Sequence, residues 1–299
     1  MSESVSIWSA VNFPLKTEQE LVADVSALVS PPALCVKVFS LIQSPNASAS
    51  EIGELVALDP NITARLLKIV NSSYYGLPSQ VDTLQRAVTL LGTRDLYNLV
   101  LAISAVRSFS AIGAGLVSIE RFWCHSVYVG LMAREIAKRI KLREPDRLFV
   151  IGLLHDIGSP VIYAQLPELL GTVAEPGTVG EDQLAEQELQ LLGFEHASVA
   201  ACLLETWQIP APLRNAIRHH HNPESAAADI QEAAVLCISD RIASASIDGQ
   251  FFAGSHGDAT IDPMTWDALG ASPDVVDIDS LLEQTAVQFQ QTIGALIHH

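Results

Sequence analysis

Helix-start signals recur along this chain, and each is followed by apolar residues three and four apart, a combination that few folds outside the all-helical class tolerate. Ser48-Ala49-Ser50-Glu51 has the form of a capping box, in which hydroxyl and carboxylate each accept a backbone N–H, and it opens onto Ile52, Leu55 and Val56. Asp59-Pro60 sets a capping carboxylate before a proline suited to the first helical position, and Ile62, Leu66, Leu67 and Val70 then share one face. Thr83 is placed to cap a short helix carrying Leu84, Val88 and Leu91, stopped by Gly92. Thr93 is placed to cap the next, with Leu96, Leu99, Val100 and Ile103 inward. No segment alternates with period two, so no strand is expected. Hydrophobic residues make up 49% of the 299 but aromatics only 6%, a Leu/Ile/Val/Ala-rich mix that suits packed helices. The predicted fold class is all-α.

The same signals divide the chain. A first helical set covers residues 22–109, and a linker-like Ser-Ala-Ile-Gly-Ala-Gly stretch follows at 110–115. The second set covers 118–246. There Asp146 is expected to cap a helix carrying Leu148, Phe149, Ile151, Leu154 and His155. Gly193-Phe194-Glu195 leads into a helix with His196, Val199 and Leu203, and Pro210-Ala211-Pro212 starts one that ends in His219-His220-His221. Residues 249–276, rich in Gly, Asp, Pro and Ser, read as an irregular excursion; an amphipathic helix over 277–297 closes the chain, either folding back or mediating a homodimer.

Charge excludes one class of function. Seventeen basic residues against 34 acidic ones give a net charge of −17, and no Lys/Arg run exceeds two, so the surface repels phosphate backbones and nucleic acid is not an expected partner. A local pocket for a small phosphorylated ligand is compatible with that balance. Cys35, Cys124, Cys202 and Cys237 are scattered among apolar neighbours without a C-x-x-C pair, as reduced thiols of a cytoplasmic protein would be. No basic-then-apolar leader and no uncharged apolar run of about 18 residues is visible, so no membrane span is expected. His298-His299 are given no role.

The chemistry-bearing feature is the doublet His155-Asp156, which offers an imidazole nitrogen and a carboxylate to one cation. On a helix the two side chains diverge by about 100°, so they can share an ion only at a helix end, where Gly158 and Pro160 place one. His125 and Asp240 lie in apolar contexts, and a buried carboxylate such as Asp240 needs a partner. Two explanations stand for Asp240: an exposed ion pair with its neighbour Arg241, or a metal. Taken singly, each histidine reads as a hydrogen-bonded core or surface residue, and His219-His220-His221 as a favourable charge at a helix C-terminus. Taken together, mixed His/Asp ligation suits iron, manganese, zinc or magnesium.

The ordered motifs resemble the HDOD family. They are Pro31-Pro32-Ala33-Leu34, Asp59-Pro60, Leu66-Leu67-Lys68-Ile69-Val70-Asn71-Ser72-Ser73-Tyr74-Tyr75-Gly76, Leu84-Gln85-Arg86-Ala87-Val88 with Leu90-Leu91-Gly92, Leu153-Leu154-His155-Asp156-Ile157-Gly158, Gly193-Phe194-Glu195-His196 and Ala216-Ile217-Arg218-His219-His220-His221-Asn222-Pro223. The resemblance covers residues 22–246. It implies an HD-like helical bundle with an N-terminal helical lobe, related to the HD metal-dependent phosphohydrolases and to the HD-GYP cyclic-di-GMP phosphodiesterases. It implies one metal held by His125, His155, Asp156 and Asp240. A second would be held by His196 with His220 and His221, aligned on Asn222-Pro223 so that His219 falls outside. A divalent cation (Fe, Mn, Zn or Mg) in a mononuclear or dinuclear site is thus the implied cofactor. The departure is that Asn222-Pro223-Glu224 follows the histidines and no Gly-Tyr-Pro loop does, which sets cyclic-di-GMP hydrolysis in doubt. The function implied is bacterial signal transduction through protein partners, with a metal or nucleotide ligand. The alternative is a metal-dependent phosphohydrolase, for which Arg218 or Lys138 would meet phosphate charge. The 71–76 motif is expected to end a helix at Gly76 and to pack both tyrosines between the two helical sets.

Overall fold

The capping chemistry sets the first half of the molecule. In the computed structural model, which describes residues 16–25, 29, 33–44, 47–109, 119–169, 181–245 and 261–297, no strand occurs among the described residues. Helix α1 (Glu18–Val25) packs mainly on two later helices, Gly158–Gln165 and His196–Thr206, while α2 (Ala33–Ile42), α3 (Ala49–Ala57), α4 (Pro60–Val70), α5 (Leu84–Leu91) and α6 (Thr93–Phe109) pack on one another as the N-terminal lobe. The Ser48 hydroxyl accepts from Glu51 N while Glu51 accepts from Ser48 N at 2.8 Å, the expected reciprocal cap of α3. Asp59 caps α4 through Asn61 N and Ile62 N, and Thr83 caps α5 through Arg86 N. At Gly92 the backbone turns to φ +84°, open to glycine at no steric penalty, and α6 begins at Thr93 itself.

The second half is a bundle of α7 (Ile119–Arg139), α8 (Pro145–Leu154), α9 (Gly158–Gln165), α10 (Glu181–Leu192), α11 (His196–Thr206), α12 (Ala211–Arg218) and α13 (Ile230–Ala245). Its central contact is α7 on α8, with α13 against α7 and α11 between α9 and α12. Two glycines make the α7–α8 approach: a Cβ on Gly152 would lie 2.6 Å from the Gly130 Cα, so neither position has room for a side chain. That contact brings His125 of α7 beside the end of α8. The stretch Pro145–Gln165 is apolar and long enough to cross a membrane by composition, but 83% of that window is buried inside the protein.

Two expectations are corrected here. Asp146 does not cap α8; Glu144 occupies that place in a left-handed conformation without a side-chain cap. Asp146 turns inward instead, where it accepts from Arg134 Nε at 2.7 Å and from the Tyr74 hydroxyl at 3.3 Å. Residues 261–276, read as irregular, contain α14 (Pro263–Leu269) and α15 (Pro273–Val276), whose prolines sit in the first turn behind Asp262 and Ser272. The last helix, α16 (Ile278–Leu296), takes the first of its two expected courses and folds back onto α4 and α7. Arg65 donates to Leu296 O at 2.6 Å and Lys68 to Gly294 O at 3.2 Å, placing two cations on its carbonyl-rich end.

The tyrosines of the 71–76 motif lie between the lobes, as expected. Gly76 is in the left-handed region (φ +58°) but, contrary to expectation, does not end the helix: α4 stops at Val70 with Asn71 as its cap. Tyr74 is buried, edge-on to Phe149 of α8, with the Arg134 guanidinium 3.8 Å over its ring. Glu135 takes hydrogen bonds from Arg134 (3.1 Å), Lys138 (2.7 Å) and two glutamines of α16, Gln284 (2.9 Å) and Gln288 (3.2 Å). One buried network thereby joins the N-terminal lobe, the bundle and the last helix. The four cysteines are free, three of them buried and Cys124 half-buried. Pro31-Pro32, the linker at 110–115, Ser246 to residue 260 and His298-His299 lie outside the described residues.

Candidate metal centre

Each candidate ligand is delivered by a helix or by a helix end. His125 stands on α7 and Asp240 on α13. Helix α8 stops at Leu154 and α9 starts at Gly158, so His155 and Asp156 fall in the turn between them and can face the same space. His196 is the first residue of α11, pressed against Gly158, where an added Cβ would overlap the His196 carbonyl. Helix α12 ends at Arg218, and the chain leaves it through His219 so that His220 and His221 turn inward while His219 stays half-buried outside the cluster. Six of the seven candidate side chains are buried and His221 is half-buried.

The structure gathers all seven into two groups, His125/His155/Asp156/Asp240 and His196/His220/His221, with ligand atoms inside each group within 4.8 Å of one another. Asp156 divides its oxygens between the groups. Its Oδ2 lies 3.1 Å from His155 Nε2 and 3.6 Å from His125 Nε2, while its Oδ1 lies 3.3 Å from His196 Nε2 and 3.8 Å from His220 Nε2. Asp240 Oδ1 is 3.0 Å from His125 Nε2 and 3.6 Å from His155 Nε2. Two imidazole nitrogens, His196 Nε2 and His221 Nε2, face each other at 3.0 Å.

Hydrogen-bond accounting shows what these atoms lack. His155 Nδ1 is 2.7 Å from Gly152 O, His220 Nδ1 is 2.7 Å from Ile217 O, and His196 Nδ1 is 2.7 Å from Glu188 Oε2. Carbonyl and carboxylate oxygens only accept, so Nδ1 carries a hydrogen in all three, and each ring once unprotonated at Nε2 turns that lone pair toward the cluster. There, His125 Nε2, His155 Nε2, His220 Nε2 and Asp156 Oδ1 are buried without an aligned partner. Orphaned buried polar atoms are rare because each one carries its full desolvation penalty. Neighbouring ligands on an ion bound at about 2.0–2.2 Å lie about 3.0–3.5 Å apart, and Asp240–His125, Asp156–His155 and Asp156–His196 show that spacing at 3.0, 3.1 and 3.3 Å. Converging lone pairs, buried carboxylates and this spacing fit a divalent cation in each group.

Electrostatics follow from the same packing. Burial raises the Asp156 and Asp240 carboxyls, but the neighbouring histidines outweigh it and hold both well below the usual carboxylate range. Burial lowers the His155 imidazole, yet Asp156 and Asp240 overcome this and lift it to about 10. His196 is likewise raised by Glu188 and Asp156 against its burial, whereas burial, His221 and His155 push His220 well below the usual imidazole range.

Several partners differ from expectation. Arg241 does not pair with Asp240; its Nη2 binds Asp182 Oδ2 at 2.9 Å. Neither cation expected to meet phosphate is free, since Arg218 pairs with Glu18 at 3.3 Å and Lys138 with Glu135 at 2.7 Å. Lys138 also stands thirteen residues along α7 from His125, roughly 20 Å away at the helical rise. Sequence reasoning missed Glu188, buried beneath His196. Its signal was present: among the acids of α10 it is the one spaced four from Leu184 and three and four from Leu191 and Leu192, a carboxylate on the apolar stripe.

Known proteins agree with this architecture. A Shewanella amazonensis structure, whose name assigns it provisionally to the phosphohydrolases, matches with a TM-score of 0.72 and 24% identity over 92% of this chain and 97% of its own. An HDOD domain protein of unknown function from Geobacter sulfurreducens matches with a TM-score of 0.68 and 21% identity over 96% and 100%. An uncharacterized protein of Treponema pallidum (strain Nichols) is 28% identical over 195 residues, 64% of this chain but 37% of that relative's length. The HDOD domain matches residues 28–223, and on that match this chain belongs to the HDOD domain family.

Proposed function

We propose that this HDOD protein is a signal-transduction module built around a dinuclear divalent-metal centre and acting through protein partners. The observation that carries the metal reading is the division of Asp156, one oxygen toward each histidine group. A single buried carboxylate placed so would hold a cation on either side, and five imidazoles would favour iron, manganese or zinc over magnesium. Bound there, two divalent cations supply Lewis-acid charge that attracts and polarises phosphoryl oxygens. The geometry supports this part for the chain: Asp156 and Asp240 would balance the charge, and the Nδ1 contacts of His155, His196 and His220 would aim their Nε2 lone pairs. A small phosphorylated ligand such as a nucleotide is the class that this charge would recognise.

Phosphoester hydrolysis is the second reading, favoured by one observation: every position of the implied ligand set holds a ligand-type side chain, and all seven converge. Against it stand the missing Gly-Tyr-Pro loop and the pairing of both Arg218 and Lys138 to carboxylates. Incubating metal-loaded protein with a panel of phosphodiesters and phosphomonoesters separates the two. No phosphate or nucleotide release is expected, with metal-dependent nucleotide binding detectable by calorimetry; turnover abolished in His155→Ala would establish the hydrolase instead.

A further inference from the structure

Four of the five histidines of the centre are aimed, by two different means. His155 and His220 give their Nδ1 hydrogens to Gly152 and Ile217, carbonyls three residues back in their own segments, so their orientation comes with the local fold. His196 and His221 depend on another helix. Their Nδ1 atoms face carboxylates of α10, Glu188 Oε2 at 2.7 Å and Asp182 Oδ1 at 3.6 Å. Glu188 is 1% exposed and also accepts the backbone N–H of His196 at 2.8 Å, so it fixes both ring and main chain at the start of α11. Asp182 is more exposed and is held from its other oxygen by Arg241 Nη2 at 2.9 Å, on the residue after Asp240.

A neutral imidazole has two tautomers, and only the one with hydrogen on Nδ1 offers Nε2 to a cation. A carboxylate at Nδ1 selects that tautomer, fixes the ring plane and strengthens the donor. With 3.0 Å between His196 Nε2 and His221 Nε2, an uncontrolled tautomer at either ring would put an N–H where a lone pair is needed. On the reading that the centre is dinuclear, we propose that Glu188 and Asp182 are positioning residues through which docked α10 makes the His196/His220/His221 site competent, while the His125/His155/Asp156/Asp240 site forms without α10. By linkage, a cation in the second group favours docked α10 by as much as docked α10 favours the cation.

The test is a titration of chelator-stripped, untagged full-length protein with manganese(II), followed by calorimetry and by elemental analysis after desalting. The wild-type chain is expected to take two equivalents. In Glu188→Gln, which preserves size, the first equivalent should bind within about twofold of wild type and the second about 10–100-fold more weakly, the usual effect of removing such a carboxylate. Asp182→Asn, on a more exposed side chain, should shift only the second equivalent, by a smaller factor, and covers the case in which Glu188→Gln fails to fold. Hydrogen exchange supplies a readout independent of affinity: the second equivalent should slow exchange of α10 amides in wild type and not in Glu188→Gln. Two equivalents bound equally well by wild type and both variants would overturn the positioning role alone. A single equivalent in wild type would overturn the dinuclear reading and this inference with it.

Discussion

Helices α7 and α8 carry two buried polar clusters at opposite ends, and the two are built on opposite principles. Around Arg134, itself 4% exposed, each charge meets an opposite charge close by: Glu135 at 3.1 Å, Asp146 at 2.7 Å, and Lys138 on Glu135 at 2.7 Å. Around His155, ring nitrogens and carboxylate oxygens converge on one another, and five buried nitrogen and oxygen atoms, two on His125 and one on each of His155, His220 and Asp156, lack an aligned partner. A network that satisfies itself holds helices together; one that is complete only with an added cation is a binding site. On the proposed reading the same pair of helices joins a structural clamp to a ligand centre, and the hydrogen-bond accounting is what separates the two.

Substitutions should separate the two clusters. The largest effect on stability is expected from Arg134→Met, which leaves Asp146 with only the Tyr74 hydroxyl and takes one of two cations from Glu135: removing one partner of a buried ion pair costs roughly 3–5 kcal/mol. Chemical denaturation measures it, and a loss under about 1 kcal/mol would mean the clamp contributes little. Gly152→Ala drives a methyl group into Gly130 and should cost about 1–3 kcal/mol by overpacking, with metal affinity falling too, because the α7–α8 approach sets the His125–His155 distance; equal affinity in a destabilised variant would count against that link. Nine residues separate His125 from Arg134 on α7, about 13 Å at the helical rise. The stabilisation by bound metal should accordingly be the same in wild type and Arg134→Met within about 0.5 kcal/mol. Strong non-additivity would show that the clusters communicate. Tyr74→Phe removes only the 3.3 Å bond to Asp146 and should cost about 1 kcal/mol or less.

A pH series sharpens the same contrast. The raised His155 stabilises the metal-free fold fully below its ordinary value of 6.5, and that contribution is lost as pH rises toward about 10. The depressed Asp156 and Asp240 contribute above the ordinary carboxylate value of 3.8 and lose that contribution as pH falls below it. The depressed His220 has the same sign as the carboxylates, disfavouring the fold as pH drops below 6.5. Cations need the unprotonated imidazole, so metal uptake at pH 7.5 should release protons and tighten as pH rises. Calorimetry in two buffers of different ionisation enthalpy reads the release directly; metal uptake without proton release would contradict a protonated His155.

Local signals were legible and remote partnerships were not. Ser48/Glu51, Asp59 and Thr83 cap within three residues of themselves, so the sequence displays both halves of each interaction. Asp146 sits where a cap would sit, but its partner Arg134 is on another helix, and nothing local distinguishes the two roles. Asp262-Pro263 and Ser272-Pro273 carry the same cap-then-proline signal as Asp59-Pro60, masked by the Gly, Ser and Asp residues around them. Five of the seven centre residues were legible because they fall within motifs that resemble one family, and His125 and Asp240 stood out as polar residues in apolar stretches. Asp182 and Arg241 carried no such signal: an acid and a base fifty-nine positions apart meet only once α10 lies beside α13.

The central claim is that Asp156 joins two cation sites, and the direct test is the metal content of untagged wild-type and Asp156→Ala protein, measured by elemental analysis without added metal. The account predicts close to two equivalents of a transition metal in wild type and almost complete loss of both in the folded variant. Less than about a tenth of an equivalent in wild type, or one equivalent retained by Asp156→Ala, would contradict it.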